Sequence, residues 1–242
     1  MAARRSILVF EYLLADCHAW TAASDSMQRE AFAMLMAIVN DLEQFDEFRP
    51  VVLMSSGPAT QLRSSGKIGA NTEVIVCDDG PSNWLRQPDR PTSSFAATLV
   101  IAPECDGLLV SLLQQLQCDT WQDVLNLNVP WSMAEIFADK FRTQSWLHSN
   151  GLTTPQTKTL SDHAANALQA THQVAPFEDS NAFDEIGKQS TEFAVIKPRD
   201  GVGSDRVSLV PMSHESFQRL PEFYGEHDRW VIQPFVRGVA CS

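Results

Sequence analysis

At 242 residues with 44% hydrophobic side chains, the chain has enough apolar material for one large or two small cores. Its formal net charge of -12 opposes a phosphate backbone, so nucleic acid is not an expected partner, although a few local cations and backbone N–H groups can still hold a small anion. No apolar run reaches the roughly 20 residues of a membrane span, and five scattered cysteines without a Cys-x-x-Cys pair make no disulfide framework or zinc site, so no membrane partner is expected and the expected setting is the cytoplasm.

Ser6 to Tyr12 reads as a buried strand, followed by a helical pattern from Met27 to Leu42 with Ala31, Leu35, Ile38 and Leu42 on one face. Asp25 and Gln28 have the spacing of a capping box for that helix. Pro50 to Met54, Glu73 to Cys77 and Thr98 to Ala102 are strand-sized apolar runs, and helical patterns follow at Gly107 to Gln117 and Met133 to Leu147. This alternation predicts an α/β unit with a Rossmann-like parallel sheet covered by helices on both faces.

Gly151 ends the last of these helices and Pro155 blocks its continuation, which predicts a boundary between a unit over 1–150 and one over 151–242. The second unit reads as a small α+β domain. A helix is expected in Ser161 to Gln173, then a polar loop through Glu192. Strands follow at Phe193 to Lys197, Val207 to Val210 and Trp230 to Phe235, with a short helix near Ser213 to Leu220.

The stretch from Ile196 to Ser204, Ile-Lys-Pro-Arg-Asp-Gly-Val-Gly-Ser, runs from a strand lysine into a loop with two glycines and a serine. A polyphosphate needs close backbone N–H groups and a nearby cation, and Gly201, Gly203, Ser204 and Lys197 supply those parts. An ordinary hairpin turn with a surface lysine would read the same way. The order G-x-x-x-x-G-K-[ST] is absent, and Glu11-Tyr12-Leu13-Leu14 follows the first strand in place of G-x-G-x-x-G. Those absences disfavour a P-loop protein and a nicotinamide dehydrogenase.

In what it does contain, the segment resembles the ATP-grasp superfamily, where a strand lysine precedes a flexible loop that closes over ATP phosphates. Two further passages match that family in order. Asp139-Lys140 opens a helix that ends at Gly151 before Thr153-Thr154-Pro155, and Trp230 to Gly238 resembles the strand and hinge that hold adenine. The resemblance implies that Lys140 and Lys197 contact the phosphates and that Gly201, Gly203 and Ser204 form a mobile cover. It also implies that backbone groups of Gln233, Pro234, Phe235 and Val236 pair with the adenine edge. Read from the residues alone, Lys140 is also compatible with a solvated helix lysine.

The same resemblance implies ATP and Mg2+ as cofactors and an ATP-dependent carboxylate-amine ligase, acting through an acylphosphate that an amine attacks. Family members carry a carboxylate after the hinge glycine for the ribose, where this chain has Val239, Ala240 and Cys241. The family's magnesium ligands fall in a final subdomain, expected beyond Ser242, so the sequence reads as the amino-terminal part of such an enzyme with its catalytic residues undetermined. The alternative is a non-catalytic ATP-binding module completed by a partner. Glu11 and Glu104 follow the first and fourth strands, where ligands gather in open α/β sheets, and could hold an amine; each could equally cap a helix or sit solvated in a loop. The Phe-Glu-Tyr and Ala-Pro-Glu segments resemble the branch that includes tyramine-glutamate ligase, which implies an amino acid or amine substrate. The histidines show no metal-ligand spacing.

Overall fold

The computed structural model describes residues 4–66, 68–87, 92–118, 120–162, 193–201, 206–211 and 227–236. The chain divides into two compact units, Met1–Ala134 and Glu135–Ser242. This division precedes the boundary expected at Gly151, because the helix ending there bonds to residues of the second unit, as set out below.

The first unit is built on a parallel sheet of β1 (Arg5–Glu11), β2 (Phe48–Met54), β3 (Glu73–Val76), β4 (Phe95–Ile101) and β5 (Leu125–Asn126) in the order β3-β2-β1-β4-β5. The chain lays strands outward from β1 to β3 and then returns to the other side of β1 for β4. That reversal makes the carboxyl ends of β1 and β4 the switch point of the sheet. The continuous apolar runs Ile7-Leu8-Val9-Phe10 and Val51-Val52-Leu53-Met54 follow from burial on both faces. Leu8, Phe10, Val51 and Leu53 pack with Trp84, Leu112 and Trp121 on one side. Ile7, Val9, Val52 and Met54 pack on the other with Ala31, Leu35 and Val39 of α3 (Asp25–Glu43) and Ala59 and Leu62 of α4 (Ser56–Ser65).

Short helices α1 (Tyr12–Ala15) and α2 (Cys17–Ala22) precede α3, and α5 (Pro81–Leu85) and α6 (Leu108–Gln115) cover the Trp84 side. Trp121 stacks on Phe95 with ring centroids 6.0 Å apart, and its indole N–H donates to Leu85 O at 3.0 Å, which satisfies the polar atom of a fully buried side chain. The cap of α3 is Ser24, whose hydroxyl accepts from Met27 N at 3.4 Å. Gln28 instead donates to Trp20 O and Ala23 O, so the expected Asp25–Gln28 capping box does not form. Strand β5 has only two residues because the Asn128 amide takes over the pairing, accepting from Val100 N at 2.9 Å and donating to Val100 O at 2.7 Å.

The helical pattern expected over Met133 to Leu147 is two helices, α7 (Trp131–Phe137) and α8 (Lys140–Ser149), parted at Asp139, which has extended backbone and caps α8. Helix α8 ends in a Schellman turn. Gly151 N donates to His148 O and Leu152 N to Leu147 O, both at 3.0 Å, and Gly151 takes φ 76°.

The second unit carries an antiparallel sheet of β6 (Lys158–Thr159), β7 (Phe193–Pro198), β8 (Ser208–Pro211) and β9 (Trp230–Pro234) in the order β6-β9-β7-β8. Ala194, Ile196, Leu160 and Ile232 form its buried core, with Val210 and Trp230 packed against them. The expected loop through Glu192 and helix over Ser213 to Leu220 lie outside the described residues, as does all but the start of the helix expected in Ser161 to Gln173. No helix among the described residues is long and apolar enough to cross a membrane.

Candidate functional site

Strand β7 alternates. Ala194, Ile196 and Pro198 are buried, while Phe193, Val195 and Lys197 belong to the opposite face. Lys197 is half-buried and sits across from Val231 of β9. Its pKa is lowered, first by burial, which penalises the ammonium, and then by the charge of Lys140. The two lysines that sequence singles out are thus near enough to repel.

Lys140 is the first residue of α8. The Asp139 carboxylate caps this helix, accepting from Phe141 N at 2.9 Å and Arg142 N at 3.1 Å. Lys140 N donates to Arg199 O at 2.8 Å, and its ammonium donates to Gly201 O at 2.9 Å. Gly201 has φ 100°, a conformation in which a side chain would be strained. The loop base is therefore glycine-dependent and tied to one of the lysines. Gly203 and Ser204 lie outside the described residues.

Arg199 was not expected to contribute. Its guanidinium bonds the Asp139 carboxylate through Nη2 at 2.5 Å and Nε at 3.4 Å, donates to Asp228 O at 3.1 Å, and lies over the Phe141 ring at 5.6 Å. Asp139's pKa is lowered. Burial opposes this, and the Arg199 bonds and helix amides outweigh it. The sequence signal was present only in part, as an Asp at a helix start and an Arg in Lys-Pro-Arg.

At the hinge, Gln233 pairs with Val195, and Phe235 N donates to Phe193 O at 3.0 Å. Backbone groups alternate along a strand, so those of Gln233 and Phe235 point to β7 while the Pro234 carbonyl and Val236 N–H point away from it, to the side on which β6 pairs with Val231 and Ile232. An acceptor and a donor two residues apart match the edge of an adenine. The Gln233 side chain donates to Thr157 Oγ1 at 2.5 Å.

In the first unit, Glu11 ends β1 and is 4% exposed. Its carboxylate accepts from Leu14 N at 3.0 Å and caps α1. Burial raises its pKa, bonds from Leu14 and Leu13 N–H oppose that, and the charge of Glu30 adds to it. Glu104 is exposed in the turn after β4 and makes no capping bond. Both stand at the switch-point ends of their strands, but Glu104 is not among the groups that act on Glu11.

A sequence model described as the ATP-grasp domain matches residues 137–242. Over these residues the chain is similar to the ATP-grasp domain. Solved ATP-grasp structures share the fold. D-alanyl-alanine synthetase A from Vibrio cholerae aligns with a TM-score of 0.54 at 10% identity over 98% of this chain and 61% of its own. The biotin carboxylase domain of 2-oxoglutarate carboxylase from Hydrogenobacter thermophilus, crystallised with ADP, magnesium and bicarbonate, gives 0.52 at 12% identity over 97% of this chain and 45% of its own. N5-carboxyaminoimidazole ribonucleotide synthetase from Thermus thermophilus gives 0.51 at 14% identity over 96% and 47%. The chain spans about half the length of these structures. No curated protein matches the sequence significantly.

Proposed function

We propose that the ATP-grasp domain binds ATP with its phosphates between Lys140 and Lys197 and its adenine edge on Pro234 and Val236. The observation that carries this reading is two lysines on separate elements joined through one loop base, Lys140 bonding Gly201 O and Lys197 half-buried on β7 with a pKa lowered first by burial and then by the charge of Lys140. Such an arrangement has a cost without an anion and a use with one. The family match and the backbone pattern after β9 support the same ligand.

The reaction we assign is that of an ATP-dependent carboxylate-amine ligase. The terminal phosphoryl group passes to a carboxylate, an amine displaces phosphate from the resulting acylphosphate, and ADP and phosphate leave. The lysines would offset charge on the phosphates, and a glycine loop excluding water would protect the acylphosphate. Among the described residues no group of three His, Cys, Asp or Glu is placed to hold a metal ion. The magnesium that accompanies ATP in this family is therefore assigned no ligand here. An amino acid or amine substrate near Glu11 and Glu104, and a cytoplasmic setting, belong to the same proposal.

Calorimetric titration tests the site. ATP should bind the wild-type chain, and Lys197→Ala should weaken that binding about tenfold or more, a loss of at least ~1.4 kcal/mol, with an unchanged circular dichroism spectrum. Unchanged affinity in Lys197→Ala sinks the assignment. ADP release with pooled amino acids and amines tests the ligase reading, and ATP binding by a full-length protein without turnover would favour the binding module instead.

A further inference from the structure

We infer that Arg199 is the positioning residue of the phosphate site: through Asp139 it fixes the first turn of α8 and so sets where Lys140 stands relative to Lys197. The functional consequence rests on the ATP reading above; the geometry does not.

Two neighbouring ammonium groups repel, so a fold that keeps them together needs a restraint. Arg199 supplies one from both its backbone and its side chain. Its carbonyl accepts the Lys140 N–H and its own N–H donates to Arg229 O, each at 2.8 Å. Its guanidinium reaches Asp139 and Asp228 O and covers Phe141. Three consecutive residues of α8's start, Asp139, Lys140 and Phe141, therefore all meet a residue two positions beyond Lys197. These contacts connect the strand that carries one lysine to the helix that carries the other.

Arg199 is itself a cation, but its bonds distinguish it from a phosphate ligand. Nε and Nη2 go to the Asp139 carboxylate and Nη1 to a carbonyl, and the side chains of the pair are only 28% and 21% exposed. Its charge is answered within the protein. A lysine in its place would present a single ammonium, unable to span the carboxylate and the carbonyl while lying flat on a ring.

Asp139 serves α8 twice, as cap and as ion-pair partner, and the two roles can be separated. Asn caps a helix about as well as Asp but brings no charge. In Asp139→Asn, α8 should start where it does now while its attachment to Arg199 weakens.

The experiment uses the full chain with Asp139→Asn, Arg199→Gln and the double variant, with Arg199→Lys as a milder second substitution. ATP and adenosine affinities are measured, and the Lys197 ammonium is titrated by NMR in the ligand-free protein. We expect each single change to weaken ATP about tenfold while adenosine holds, and the double variant to be no worse than either, because both break one coupling. We also expect Lys197 to titrate somewhat closer to an ordinary lysine, since the charge of Lys140 acts on it in addition to burial, the larger cause, which these variants leave in place. ATP affinity within twofold of wild type, an equal loss for adenosine, or an unmoved Lys197 titration overturns the inference. If the wild-type chain binds no ATP, the ATP reading fails by itself, and the titration alone then decides for or against the clamp.

Discussion

A lysine that is half-buried beside another lysine is held against its preferred charged state. For Lys197 the folded protein favours the neutral amine more than the unfolded chain does. Stability therefore rises with pH between the lowered folded pKa and the ordinary lysine range, where only the unfolded chain keeps the proton. A triphosphate bound beside it, as proposed above, would oppose that preference. Glu11 presents the mirror case. Its pKa is raised by burial, so stability should fall as pH climbs from the ordinary glutamate range through the raised folded value. Glu11→Gln keeps a capping oxygen without the buried charge. Denaturant melts across pH 4 to 8 should show its stability flatter with pH than wild type, a range chosen to bracket the ~4.3 of an unperturbed glutamate. Glu11→Ala should lose about 1 kcal/mol with the cap. A Glu11→Gln protein as stable as wild type that loses amine-dependent ADP release would instead give Glu11 a substrate role. The positions of the lysines, at a helix start and at a strand end, were legible in sequence because each sits inside a local motif. The bonds between Asp139 and Arg199 join residues 60 positions apart, and no local pattern announces such a pair.

At the scale of elements, burial decided what could be read. Strands β1 and β2 are covered on both sides and announce themselves as unbroken apolar runs. Strands β5 and β6 have two residues each, too few for any period, and exist because a neighbour accepts them. Ser24 and Asp25 are both good capping types, and position alone favours Ser24. The break between α7 and α8 was hidden because apolar residues continue across it at helical spacing, whereas the stop at Gly151 was visible as glycine followed by proline. That stop is testable. Gly151→Ala forces a side chain onto φ 76° and should destabilise the protein by about 1 kcal/mol, while Gly151→Asn should cost less. A urea midpoint equal to wild type in Gly151→Ala would show that the turn adapts.

Across the whole molecule, two sheets of opposite character divide the work: a parallel one whose strand ends meet at a switch point, and an antiparallel one in which β9 lies between β6 and β7. Hydrogen exchange can locate the ligand between these two possibilities. ATP at about 100 times its Kd should add up to ~2.7 kcal/mol of protection to amides in β7, β9 and the first turn of α8, with β1, β2 and β4 unchanged. Protection confined to β1 and β4 would move the nucleotide to the first unit. The net charge of -12 is largely screened beyond about 10 Å at 0.1 M salt, so it opposes an incoming polyanion only once the two are that close.

Lys140 opens α8, so its ammonium also sits at the end of the helix where the aligned peptide dipoles leave a partial positive charge. With Lys197 acting on the same corner, two ammonium groups meet at a helix start that the Asp139 carboxylate only partly answers, in an otherwise acidic protein. A compact dianion settling there, sulfate as well as a nucleotide tail, would gain attraction and also quiet a mutual repulsion that the fold otherwise has to contain.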